Sequence, residues 1–391
     1  MRILHLSADY PDPLAAGKTR AIRNLLALAP AHEHRVWSLN RVDWRARIAA
    51  LDFGDEVGRR HRAVAYGAPP RGLLLRGRLE RLADWIAVDA VRDGWRPDAI
   101  HAHKLSVEGL AGLRLAAHLG VPLIVSSQGD SDLKIIAARP DLRPIWRRVW
   151  REATHVLPFA PWTATRLTAL LGPRDGPTTP LACPIGAPAA PASPRRVGPR
   201  FATVFHLGVH RRKNARLLID AVALAARATP DIRLDVIGGG DPAAFAALAD
   251  HAARRAPGRI RFLGSLPREA VLAELNGVCA MALPSLRESF GMVFPEALFA
   301  GAPCLVPRGW GVDGWLADGM ATLSVDATDV GAVADALGRL AAEEDGFKAR
   351  LHALQRSGGL APFGDDAIAA AYARTLEDAA RAAITASRPA A

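Results

Sequence analysis

"HLGVPLIVSS", residues 118–127, reads as the end of a helix, a turn and a buried strand, and "GWRPDAIHAH", residues 94–103, reads the same way. Short apolar runs alternating with segments of helical period are the pattern of α/β units on a parallel sheet. Working outward, the first half of the chain predicts strands over 3–6, 35–39, 63–66, 99–101, 123–126 and 155–158. "CPIGAPAAPASPRRVGPR", 183–200, is rich in Pro, Ala and Arg without apolar periodicity and reads as a linker. A second set of strands follows over 203–207, 233–237, 260–263, 278–283, 302–306 and 322–325, with helices over 215–228 and 243–253 and an Ala-rich amphipathic helix after Pro362. The expectation is an α/β chain of two doubly wound domains: 1–183, a linker over 184–200, 201–362, and a terminal helix within 363–391 packing back towards the first domain. Ligands of open α/β sheets bind beyond the carboxyl ends of the strands, so chemistry is sought in the loops that follow them.

Half of the 391 residues are hydrophobic, enough for sizeable cores. Cys183, Cys279 and Cys304 stand far apart with no C-x-x-C spacing, which argues against a disulfide framework or a structural zinc site; a cytosolic protein is expected. "MRILHLSADYP" reaches Asp9 and Pro11 before a signal-peptide core could form, and no apolar run of membrane-spanning length follows. The net charge of +11 is unevenly placed: residues 1–196 carry 29 Lys+Arg against 18 Asp+Glu, whereas 197–391 carry 21 of each. A basic half suits nucleic acid, an anionic bilayer or a polyanionic substrate. Without an RNP-type aromatic motif, a helix-turn-helix or a zinc finger, no nucleic-acid partner is expected.

"DPLAAGKTRAIRNLL", 12–26, carries a partial phosphate-binding signal. Gly17, Lys18 and Thr19 spell the end of a P-loop, but the glycine required five positions earlier is Asp12, a carboxylate that would repel phosphate. The richest loop is "LPSLRESFGMVFPEALFAGAPCLVP", 283–307. A strand ends at Pro284, a loop holds Gly291, and a helix is expected to begin near Pro295, whose fixed φ suits a first helical position. Glu288 and Glu296 then share one rim, where backbone N–H groups receive an anionic or hydroxyl-rich ligand and carboxylates accept from vicinal sugar hydroxyls. For either glutamate alone, complementing the helix dipole or simple solvation is the plainer reading.

As a unit, E-S-F-G-x-x-x-x-E-A, with seven residues between the glutamates and "AGAPCLVP" after it, closely resembles the signature of retaining nucleotide-sugar glycosyltransferases of the GT-B fold, in particular glycosyltransferase family 4. "MRILHLSADYP", "DAIHAH", "GVPLIVSSQGD", "FHLGVHRRKNARLLIDAV", "DIRLDVIGGGDP" and "RIRFLGSLPREAVLAEL" stand in the family's order, so the resemblance covers nearly the whole chain. It implies two Rossmann-like domains facing across a cleft, the first for the acceptor and the second for the donor. Lys213 would neutralise the donor diphosphate and stabilise the leaving group. Glu296 would grip the ribose hydroxyls and Glu288 lie near the donor sugar. Ser289, Phe290, Gly291, Met292 and Val293 would face the phosphates and sugar, with Gly240 beside the nucleotide and Leu263 where the base docks. Gly17 matches the turn after the first strand, which makes Lys18 and Thr19 cleft residues near the donor phosphates or on the acceptor side.

Two positions depart from the pattern. Val209 follows Gly208 where the family commonly has arginine, so the second phosphate cation must come from His210, Arg211 or Arg212. Gln128 replaces a histidine that contacts the donor sugar; it can hydrogen-bond a hydroxyl but carries no charge. Gln128 is expected in the catalytic centre with Glu288 and Lys213. Retention in the family implies front-face attack with the leaving phosphate accepting the proton, so no side-chain base, cofactor or metal is expected.

Asp130-Ser131-Asp132 spells the D-x-D metal motif of another glycosyltransferase fold, a match that arises easily by chance. His101 and His103 would share one strand face, but no third ligand is apparent; a structural role, or an acceptor contact by His103, is expected. Seven of the nine tryptophans lie in the basic half, and "RGLLLRGRLERLADWIAV" (71–88) and "RPIWRRVWREATHVL" (143–157) set Arg beside Leu or Trp at helical spacing. Either the apolar faces pack inward, or they and the arginines meet an anionic membrane, where each basic residue contributes about 1 kcal/mol. The expected activity is transfer of a hexose-type unit from a nucleoside diphosphate sugar to a glycan or lipid-linked acceptor in cell-surface polysaccharide or glycolipid synthesis. The alternatives are an epimerase or phosphorylase of the same fold, or a degenerate sugar-binding subunit.

Overall fold

The computed structural model describes residues 1–15, 17–55, 58–188 and 190–386. Its chain divides into two compact units, Met1–Pro184 together with the helix Asp365–Ala386, and Ile185–Gly364.

The first unit is built on seven strands: β1 (Arg2–Ser7), β2 (Glu33–Val42), β3 (Ala49–Gly54), β4 (Arg60–Gly67), β5 (Ala99–Ala102), β6 (Leu123–Ser127) and β7 (His155–Pro158). Their order is β3-β4-β2-β1-β5-β6-β7, parallel except for β3, which runs antiparallel to β4. Ile3, Leu4 and Leu6 of the central β1 are fully buried, which is why that strand reads as a continuous apolar run. The sequence gives no sign of β3, an edge strand without a single buried residue and therefore without periodicity. Helix Leu75–Val91 turns Leu79, Leu82 and Ile86 into the core, and helix Glu108–Leu119 adds Leu110 and Leu115. Helix Arg143–Glu152 turns Trp146, Val149 and Trp150 into the same core. Its tryptophans are thus packed inward, so of the two Arg-rich segments this one offers no aromatic face to a membrane. Tyr372 of the terminal helix is buried with its hydroxyl 2.9 Å from His101 Nδ1.

The second unit carries six parallel strands: β8 (Arg200–Val204), β9 (Arg233–Ile237), β10 (Ile260–Gly264), β11 (Ala280–Ala282), β12 (Cys304–Pro307) and β13 (Thr322–Val325), ordered β10-β9-β8-β11-β12-β13. Strand succession reverses between β8 and β11, as it does between β1 and β5 in the first unit, and a crevice opens at the carboxyl ends of such a pair. Several boundaries differ from expectation by a few residues, and two of them bear on the site. β8 ends at Val204 because the chain turns at Leu207–Val209, with the His206 ring accepting from Gly208 N. The helix expected near Pro295 spans Val293–Phe299. Pro295 is its third residue, tolerated because first-turn N–H groups have no intrahelical partner. The segment from Ile185 to β8 lies along the second unit. Ala192 N donates to Phe299 O at 2.7 Å, Asn276 Nδ2 to Ser193 O at 3.1 Å, and Glu344 receives Val197 N and Gly198 N.

Candidate active site

In the second unit the site is built from the loops after β8 and β11. Asn214, left-handed at φ 60°, turns the chain into helix Ala215–Ala225 and donates to Ala327 O at 2.6 Å, which fixes the neighbouring Lys213. Lys213 Nζ donates to Glu288 Oε2, which also accepts from Ser285 Oγ at 3.3 Å. Leu286 N donates to Arg212 O at 2.9 Å, joining the two loops through their backbones. Gly291 has φ +74°, and a Cβ there would stand 2.6 Å from the Phe294 ring and 3.0 Å from Glu288 Cγ, so glycine lets the loop close over the glutamate. Ser289, Met292 and Val293 are half-buried and Phe290 is buried. Glu296 lies in the first helical turn; burial pushes its carboxyl up, and Arg268, with Nε 3.5 Å away, opposes that push.

The remaining expected donor residues flank this centre. His210 is half-buried with Nδ1 2.9 Å from Leu207 O, and shares its turn with exposed Arg211 and half-buried Arg212. Gly240 is exposed after β9, with the His206 ring where its Cβ would be, and half-buried Leu263 lies on β10. Direct contacts therefore gather Lys213, Glu288 and the Gly291 loop, while Gly240 and Leu263 lie across β8 from β11.

In the first unit Gln128 follows β6. Its Nε2 donates to Asp9 Oδ2 at 2.8 Å, which orients the amide so that its oxygen and second N–H are the groups to offer a ligand. The same Asp9 oxygen receives Lys104 Nζ at 2.7 Å. Burial alone would lower the Lys104 ammonium, but Glu108 and Asp9 outweigh it and hold it above its ordinary value. Glu108, fully buried, is pushed up to about 7 by burial, with Lys104 opposing, and its Oε1 accepts Ala8 N at 2.9 Å. Asp9, Lys104 and Glu108 were not singled out from the sequence; only the tertiary fold makes them neighbours of Gln128. Asp132 of the D-x-D triplet receives Ser106 N, Ser106 Oγ, Ser127 Oγ and Gln128 N, and so anchors two loops.

Three expectations in this unit are corrected. The H-x-H pair does have a third neighbour: ligand atoms of His5, His101 and His103 lie within 4.8 Å of one another, because β1 runs beside β5 with His5 in register with His101. His101 is engaged by the Tyr372 hydroxyl and Ser126 Oγ, and the other two rings join a hydrogen-bonded string with His34. His34 Nε2 donates to Ala29 O (2.8 Å), so His34 Nδ1 accepts from His5 Nε2 (2.9 Å), and His5 Nδ1 accepts from His103 Nε2 (3.0 Å). Burial drives His103 down to about 3 and His34 to about 4, so both are neutral at pH 7. His103 is thus an interior residue rather than an acceptor contact. Lys18 is the third correction. Its Nζ donates to Asp12 Oδ2 (2.6 Å), Ser38 Oγ (3.0 Å) and Leu39 O (3.4 Å), so its three N–H groups are engaged within the fold. Gly17 and Thr19 beside it are exposed.

Two parallel α/β sheets, each with a switch-point crevice, and a lysine–glutamate pair at the rim of the second define a GT-B glycosyltransferase. The profile described as "Glycosyl transferase 4-like domain" matches residues 17–184, and that described as "Glycosyl transferases group 1" matches residues 198–343. The chain belongs to the group 1 glycosyltransferases of family 4. It is 26% identical to a glycogen synthase of Mycobacterium tuberculosis, over 86% of this chain and 85% of the relative. In fold it is similar to sucrose-phosphate synthase from Thermosynechococcus elongatus, with TM-score 0.73 and 18% identity over 99% of this chain and 100% of the other. It is also similar in fold to HepE of Anabaena, solved in complex with UDP and glucose, with TM-score 0.65 and 15% identity over 96% and 99%. Among the described residues no helix is long and apolar enough to cross a membrane.

Proposed function

We propose that this glycosyltransferase is a retaining enzyme that moves a hexosyl unit from a nucleoside diphosphate sugar to a glycan or lipid-linked glycan, in cell-surface polysaccharide or glycolipid synthesis. The observation that carries the reading is Lys213, held by Glu288 beside the Gly291 loop, with Glu288 Oε2 the one side-chain acceptor it meets among the described residues. In the transfer, the bond between the anomeric carbon and the phosphate oxygen breaks and the acceptor oxygen bonds the same face of that carbon. The acceptor's proton passes to the departing phosphate, whose developing charge Lys213 stabilises. Glu296 accepts from the ribose hydroxyls, and Gln128 offers its amide oxygen to a sugar hydroxyl. The scheme uses no metal and no cofactor beyond the donor itself.

The glucan in the name of the mycobacterial relative, and the UDP and glucose bound to HepE, support a hexosyl donor. Leu73 and Leu74, 60% and 69% exposed ahead of helix Leu75–Val91, support contact of the basic first unit with the inner face of a membrane in the cytoplasm. The test is turnover of a panel of UDP-, GDP- and ADP-sugars. Glu296→Ala and Lys213→Ala are each expected to lower it by about 10²-fold or more per folded molecule; unchanged turnover in both would overturn the reading.

A further inference from the structure

Arg268 opens helix Arg268–Asn276 and reaches two places at once. Its Nε lies 3.5 Å from Glu296 Oε1, while one terminal nitrogen donates to Ile185 O at 2.6 Å and to Gly186 O at 2.9 Å. Ile185 and Gly186 are the first residues of the second unit, just after the chain leaves the first. Gly186 is left-handed at φ +62°, a conformation a side chain resists, and the turn it makes brings two successive carbonyls to one nitrogen. A guanidinium is always charged and presents five donors in a planar fork, so a single arginine can hold a carboxylate and two carbonyls together.

We infer that Arg268 is a positioning residue for the donor nucleoside: it keeps the Glu296 carboxylate ionised and aimed at the ribose, and fastens it to the backbone at Ile185–Gly186. The inference rests on the reading of Glu296 as the ribose ligand. An ionised carboxylate accepts charge-assisted hydrogen bonds from vicinal hydroxyls, whereas a protonated one loses much of that strength. Burial alone favours the protonated form of Glu296, and Arg268 is the group that opposes it. Of the other groups on elements packed against the Glu296 helix, Val293–Phe299, Glu269 is exposed, Glu274 is held by Arg200 at 2.5 Å, and the Cys304 thiol is pushed far up by burial and stays neutral. The Arg268 side chain is 44% exposed, so its replacement is compatible with the fold.

The experiment is calorimetric titration of UDP, GDP and ADP into wild type, Arg268→Gln, Arg268→Lys and Glu296→Ala near pH 6 and near pH 8, compared for the diphosphate that wild type binds most tightly. Ratios to wild type at each pH cancel the titration of the diphosphate itself. Arg268→Gln is expected to bind about tenfold more weakly near pH 6 and about threefold more weakly near pH 8, since losing an adjacent cation raises a carboxyl by about one pH unit or more. Arg268→Lys keeps the charge and is expected to restore the wild-type pH dependence. If Arg268→Gln matches wild type at both pH values while Glu296→Ala is weakened, this inference fails and the ribose reading stands. Equal losses at both pH values in Arg268→Gln and Arg268→Lys indicate a purely structural arginine and also overturn it. If Glu296→Ala binds as wild type does, or wild type binds none of the three, the ribose reading fails and takes this inference with it.

Discussion

Two lysine–carboxylate pairs stand in loops after the first strand of each unit: Lys18 with Asp12 after β1, and Lys213, after β8, with Glu288. Both lysine side chains are 12% exposed, so burial does not tell them apart. Their partners do. Asp12 receives Lys18, Ser38, Asn40, Leu14 N and Ala15 N, and Lys18 has two further acceptors of its own. Around Glu288 the described donors are Lys213 and Ser285, and Glu288 is in turn the acceptor that Lys213 meets. A ligand can recruit a cation whose N–H groups are not all engaged; a cation closed into the fold only supports the chain.

Substitution separates the two pairs, beginning with the one expected to matter most. Lys213→Ala should lower donor turnover by about 10²–10³-fold, the usual cost of losing one preorganised group at a developing oxyanion, in addition to any stability lost by leaving buried Glu288 without its cation. Lys18→Met should spare turnover. It leaves Asp12 buried without its cation and should cost about 3 kcal/mol of stability in denaturant melts, with per-molecule turnover retained. Such a loss is expected because burial by itself raises the Asp12 carboxyl, and the bonds from Lys18, Ser38 and Asn40 outweigh it to hold the carboxyl low.

Acid should strain the first unit through its histidines. Imidazoles held at about 3 and about 4 give stability that is complete above their ordinary value and lost as pH falls towards those values. Between pH 6.5 and pH 5 this amounts to about 2 kcal/mol for each of His103 and His34. Glu108, raised to about 7, acts in the opposite sense: its contribution is complete in acid and lost as pH rises through 7. Glu108→Gln should therefore steepen the acid decline of Tm, and an unaltered slope would show that the carboxyl is not buried as described. The smallest effect is expected at Gln128, where Gln128→Ala removes one neutral hydrogen bond and should cost about 1 kcal/mol, roughly fivefold, in kcat/KM.

What the sequence revealed follows the range of the interactions. β7, β9 and β13 coincide with their expected spans because a strand buried on both faces is a local apolar run. The Glu288–Glu296 spacing was readable because a loop and the first turn of the following helix are local too. What could not be read depends on strand order. His5 meets His103 across 98 positions and Gln128 meets Asp9 across 119, and neither contact leaves a periodic trace. Lys18, expected as a cleft residue, is closed into the fold for the same reason, since its acceptors beyond Asp12 come from β2. Arg268 was hidden as an ordinary helix-opening arginine until Glu296 was placed beside it.

The most direct test is to titrate UDP, GDP and ADP by calorimetry into wild type, Lys213→Ala and Lys18→Met under one buffer. Lys213→Ala is predicted to lose about thirtyfold or more in affinity for the preferred diphosphate, as expected for a lost charge-assisted contact, while Lys18→Met stays within about twofold of wild type. Wild-type affinity in Lys213→Ala together with lost binding in Lys18→Met would contradict the account and move the phosphate site to the first unit.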